Sequence, residues 1–118
     1  MTRFLAIYTG SEEAMRRSGW ASLDEATRAA RQAEGFQAWM DWGEANAAAI
    51  VDSGSPLGKT KRAGPEGISD IRNAIAGYAI VEAPSHEAAV KLFENHPHFA
   101  IFPGEAVEIM ECLPIPER

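Results

Sequence analysis

Ala74-Ile-Ala-Gly-Tyr-Ala-Ile-Val-Glu-Ala-Pro-Ser-His-Glu-Ala-Ala-Val-Lys-Leu-Phe-Glu-Asn-His-Pro-His-Phe99 reads as a strand, a capped helix and a stop. Residues from Ile75 to Val81 are apolar on both alternating faces, which suits a strand covered on both sides. Pro84 ends it and Ser85 supplies an N-cap. Ala88, Ala89, Leu92 and Phe93 form one apolar stripe. Pro97 cannot continue the helix and disfavours helical geometry at His96.

Outward from this stretch, Arg3 to Tyr8 is a second strand with two apolar faces, broken by Gly10. Ser11 caps a short helix that Ser18-Gly19 ends. Ser22-Leu-Asp-Glu25 has capping-box spacing, so a long helix is expected after Ser22. Its stripe, Ala26, Ala29, Ala33, Phe36, Met40, Gly43, Ala47 and Ile50, predicts the face turned to the sheet; Trp42 then points away. Val51 to Leu57 reads as a bent or edge segment that Lys59 to Ala63 continues. Gly64-Pro-Glu-Gly67 is a turn, and Ile68 to Asn73 is expected to be a mobile loop. Ala106 to Leu113 is the last strand.

The order strand, helix, strand, strand, helix, strand predicts one domain over residues 1–118: an α+β, ferredoxin-like βαββαβ sandwich with both helices on one sheet face. The second face is also apolar and no third layer exists to cover it. A second copy would, so the expectation is a homodimer in the form of a dimeric α+β barrel.

Composition bounds the function. A net charge of −6 argues against nucleic acid as a partner, because phosphate binding needs a basic patch. Lys59-Thr-Lys-Arg62 is the nearest approach to one, and a solvated charge run is the plainer account of it. No stretch approaches the roughly 20 apolar residues of a membrane span, and the apolar run at the start is too short for a signal peptide. One cysteine, Cys112, allows no internal disulfide and fits a reducing, cytoplasmic compartment; a buried structural thiol is expected there.

The chain resembles the YCII-related family of small dimeric α+β barrel proteins. The residues that carry the resemblance are Phe4-Leu-Ala-Ile-Tyr8, Gly54-Ser-Pro-Leu-Gly-Lys59, Gly77-Tyr-Ala-Ile-Val-Glu-Ala83 with Ser85 and Glu87-Ala-Ala89, His96-Pro-His98, and Val107-Glu-Ile-Met-Glu111. They cover the two ends and the second half; the long helix matches only in character. The resemblance implies a barrel with a small cavity between sheet and loops. Some related proteins are thought to use a His–Asp pair with the His early in the chain; here no His precedes His86. The Asp-Gly-Pro-Phe signature of a sister group is also missing, and Gly67-Ile-Ser-Asp70 occupies the comparable loop.

The candidate catalytic residues are His98 and Asp52, a base and a carboxylate for proton transfer. Candidate ligand contacts are Tyr78, Lys59, His96 and Ser53. Each has a plainer structural reading: a helix end for His96 and His98, turn chemistry for Asp52 and Ser53, packing for Tyr78, solvated surface for Lys59. In an extended segment His96 and His98 would share one side, but no third metal ligand is spaced to join them, so neither a metal nor a cofactor is expected. His86 is expected to be solvated and inert. Two functions compete: an acid–base lyase or isomerase acting on a polar small molecule in the barrel cavity, and a non-catalytic metabolite-binding or regulatory module.

Overall fold

The computed structural model describes residues 1–116. The first strand, β1 (Thr2–Thr9), lies in the middle of a four-stranded antiparallel sheet of order β2-β5-β1-β6, with β2 at Ile50–Pro56, β5 at Ile75–Ala83 and β6 at Ala106–Glu111. This is the ferredoxin-like arrangement. Phe4 pairs with Val81 on one side and Glu111 on the other, and Tyr8 with Gly77 and Val107.

Period-two alternation divides the sheet. Phe4, Ala6 and Tyr8 of β1 join Ala79, Val81 and Ala83 of β5 on the covered face, with Ala89 and Phe93 packed over them. Leu5, Ile7, Tyr78, Ile80 and Met110 share the other face by register, and none of them is fully buried. Nothing within the described residues covers that face.

Helix α1 (Glu12–Ser18) starts where the Ser11 hydroxyl accepts from the Ala14 N–H and ends at Gly19, whose φ of +70° is the left-handed conformation glycine tolerates best. The long helix α2 (Glu25–Ala45) is capped by Asp24 and not by Ser22, which lies in a 3-10 turn over Trp20–Ser22. Asp24 accepts from the Thr27 N–H, and hydrogen bonding from the Thr27 side chain first, and from that N–H second, holds its carboxyl below the usual range.

The buried face of α2 also differs from the expected stripe. Gly35, Trp39 and Trp42 turn inward, whereas Phe36 and Met40 are 62% and 59% exposed. Two contacts set this rotation. Gly35 lies so close to Phe102 that a Cβ would sit 2.5 Å from its ring. The Trp42 indole N–H donates to the Leu92 carbonyl at 2.7 Å. The helix ends at Ala45, so Ile50 belongs to β2 and not to the stripe. Gly43 has open space where a Cβ would go, so Gly43→Ala should raise stability by up to about 1 kcal/mol in a melting experiment.

The expected loop after Gly67 is a strand. β3 (Thr60–Gly64) and β4 (Gly67–Ile71) form a separate two-stranded hairpin, with Lys61 opposite Asp70 and Ala63 opposite Ile68. After β5, the helix α3 (His86–Lys91) is capped by Ser85, and a one-turn helix α4 spans Pro97–Ala100. The His-Pro-His segment is therefore a helix start rather than an extended connection: His96 is the N-cap and Pro97 takes the first helical position, where its missing N–H costs nothing. Cys112 is exposed, contrary to the buried thiol expected, because it follows the last residue of β6 at the sheet edge.

Candidate functional site

Beneath α2, at the end of the sheet where β2 and β5 meet the β3–β4 hairpin, lies a cleft of about 690 Å³. Its walls include Tyr8, Phe36, Trp39, Met40, His98 and Phe102, closed below by Ser53–Pro56 of β2 and by Ala76–Tyr78 of β5. Most of this lining is apolar or aromatic.

His98 is held by main chain. A carbonyl oxygen can only accept, so the His98 Nε2–H donates to Thr9 O at 2.7 Å, and Nδ1 keeps its lone pair. That Thr9 carbonyl also receives the Glu105 N–H at 2.9 Å. Gly104 lies against the ring, and a Cβ there would collide with it, while the Gly104 N–H donates to the His98 carbonyl. Burial pushes the His98 pKa down, which keeps the ring neutral and Nδ1 unprotonated near pH 7.

Behind it, His96 is fully buried among the rings of Tyr8, Trp39, Trp42 and Phe93. Its Nδ1 accepts from the His98 N–H at 3.0 Å, so the neutral ring carries its proton on Nε2, which finds no partner. Burial first, and the neighbouring His98 second, lower the His96 pKa from 6.5 to about 4. Burial likewise raises Tyr8 to about 12.

This arrangement predicts acid sensitivity. Between about pH 6.5 and pH 4 the unfolded chain binds a proton at His96 that the folded chain refuses, so stability is full above about pH 6.5 and falls toward pH 4. The loss from this ring is about 3 kcal/mol. Thermal melts near pH 7 and near pH 4 measure it. His96→Asn, which keeps a capping acceptor, should flatten the difference; an unchanged pH dependence would place its source elsewhere.

The other sequence candidates are scattered. Ser53 and Tyr78 line the same cleft as His98, although Tyr78 stands opposite Ile7 on the open face of the sheet. Asp52 does not line it: its carboxylate accepts from the Gly54 N–H at 2.8 Å, and β2 is irregular on both sides of its pairing with Ile80. Lys59 lies in a different groove, at the root of the hairpin, with Arg72 and Asn73. His86 is half-exposed yet engaged, its Nε2 2.8 Å from the Ile109 carbonyl. Among the described residues no three His, Cys, Asp or Glu side chains cluster as a metal site would require. The contribution of Trp39, Phe36, Met40 and Phe102 was not expected. The available signal was Phe36 and Met40, four residues apart in the stripe assigned to the core, with Trp39 at its edge.

No family model matches the sequence, and no curated protein does. Among solved structures, 5-chloro-2-hydroxyhydroquinone dehydrochlorinase (TftG) from Burkholderia phenoliruptrix AC1100, in complex with 2,5-dihydroxybenzoquinone, is similar over 91% of this chain and 89% of its own. The TM-score is 0.51 and the identity 17%. The fold is that of the dimeric α+β barrels. At this identity the likeness is one of architecture alone. No helix among the described residues is long and apolar enough to cross a membrane.

Proposed function

We propose that the chain is a YCII-type, homodimeric α+β barrel protein of the cytoplasm that binds a small planar molecule in the Tyr8–His98 cleft and transfers a proton on it through His98. The observation that carries this reading is the pairing of one basic nitrogen with an aromatic cleft. His98 Nδ1 makes no hydrogen bond among the described residues, in a ring whose other nitrogen is pinned. A general base needs that geometry and a neutral ring at working pH. Trp39, Phe36 and Phe102 offer faces and edges to a ring-shaped ligand, and Ser53 with the Tyr8 hydroxyl supplies a few polar contacts. In this reading His96 is a positioning residue that fixes the His98 backbone, and Asp52 shapes the Gly54 turn. A ligand of mostly apolar surface fits the walls better than the polar small molecule expected from sequence. The lone cysteine and the apolar open sheet face support the compartment and the dimer respectively.

A binding module without chemistry is the second reading, favoured by one observation: no carboxylate lines the cleft to orient His98 or hold its charge. Calorimetric titration with 2,5-dihydroxybenzoquinone and with simple phenols separates the two readings. Phe36→Ala should weaken binding by about tenfold. His98→Gln should leave binding within about threefold while abolishing proton exchange or turnover of the bound ring. Binding without any chemistry in the parent protein favours the module, and wild-type affinity in both variants removes the cleft as the site.

A further inference from the structure

The β3–β4 hairpin contributes nothing to the sheet or the core described above. Two five-residue strands without a core of their own are marginal in water. Ile68 is 81% exposed, and every residue of β4 is exposed. The Cα radius of gyration is 16.4 Å, against about 13–14 Å for a compact domain of this length, and the molecule measures 58 × 42 × 19 Å. A flat body with a projecting arm accounts for the excess.

Charge divides the same way. The hairpin strands and turn balance Lys61 and Arg62 against Glu66 and Asp70; the stems add Lys59 and Arg72, so residues 57–75 carry a net +2 and the rest of a chain of net charge −6 carries −8. Lys61 is paired with Asp70, but Lys59, Arg62 and Arg72 have no ion-pair partner among the described residues. On the open sheet face, register sets Glu108 opposite Ile7 and Asp52 opposite Ile80, so acids border the apolar patch of Leu5, Ile7, Tyr78, Ile80 and Met110.

We infer that the β3–β4 hairpin is an arm that reaches from one copy of this chain onto the acidic body of a second copy, clamping a dimer whose sheets pack open face to open face. This rests on the homodimer proposed above and adds the element that grips it. A second copy is the occupant because the cations at the hairpin's stems, Lys59 and Arg72, together with Arg62 on β3, complement the acidic body within one molecule, which a two-fold axis turns into two reciprocal contacts. The arm is also rooted at the right place. The Leu57 N–H donates to the Ala76 carbonyl at 2.9 Å, so the hairpin leaves from the adjoining ends of β2 and β5. β5 carries Tyr78 and Ile80 into the open face, so the arm leaves the body beside the interface it is to clamp.

Sedimentation equilibrium of the whole chain at about 50 mM and about 500 mM NaCl tests this, together with two variants. One replaces residues 60–71 by a short Gly-Ser turn. The other is Arg62→Glu with Arg72→Glu, exposed changes that leave the body's folding contacts intact. The expected result is a dimer whose Kd rises with salt in the parent chain, and a Kd at least about tenfold higher in each variant, with the salt dependence lost in the charge variant. A parent dimer whose Kd is unmoved by the charge variant overturns the arm while leaving the dimer standing. A parent chain that stays monomeric at every concentration overturns the dimer and the arm together.

Discussion

Trp42→Ala should destabilise the protein by about 3–5 kcal/mol and lower Tm by roughly 10–20 °C. The indole fills the space between α2 and the turn after α3, with ring centroids 5.1 Å from Phe93 and 4.6 Å from His96. Its loss opens a cavity against both rings and strips the Leu92 carbonyl of its 2.7 Å donor. Phe36→Ala and Met40→Ala, which the amphipathic pattern would rank above Trp42→Ala, should each cost less than about 1 kcal/mol, because both side chains are more than half exposed at the cleft rim. Thermal or urea unfolding of the three variants checks the ranking. A Phe36→Ala loss matching that of Trp42→Ala would mean that α2 is rotated from the orientation described.

Gly54→Ala should be comparably severe, at roughly 3–5 kcal/mol. Its φ of +67° is left-handed, which costs a residue with a Cβ about 1–2 kcal/mol. An added Cβ would also fall on the Tyr78 carbonyl oxygen, a backbone atom that cannot move without parting β2 from β5. Because Ser53 to Pro56 form the floor of the cleft, the same change should abolish ligand binding in whatever fraction remains folded. Gly58→Ala, with open space around the Cβ position, is the control and should be near neutral. A Gly54→Ala protein as stable as its parent would contradict the close approach of the two strands.

Strand patterning and capping residues carried the fold in the sequence, since both are local. The two-sided apolar runs at 4–8 and 75–81 became the central pair of the sheet, and Ser11 and Ser85 cap helices as their spacing predicts. The rotation of α2 was not legible. Alanines occur all around that helix, so several stripes fit equally well, and the choice is made by two contacts distant in sequence, Gly35 on Phe102 and Trp42 on Leu92. The hairpin was missed because β4, Gly67-Ile-Ser-Asp-Ile71, buries no face and so shows no alternation. At the site, His98 could be picked out because Pro97 stiffens its segment. The partner proposed for it could not be judged, since whether Asp52 reaches a cleft or turns back on Gly54 depends on a bulge that spacing does not reveal.

The central position of β1 sets the order in which this protein can be assembled on the ribosome. Phe4 waits for Val81 on one side and for Glu111 on the other, so an apolar strand is synthesised long before either neighbour exists. The helices made in between have no sheet to dock on. Closure must therefore begin with the arrival of β5, a contact of high sequence separation that makes folding slow for the chain's size. Until then both edges of Phe4-Leu-Ala-Ile-Tyr8 are bare, which makes this strand the segment most in need of a chaperone during synthesis. Chains cut short before β6 would keep one of those edges open permanently.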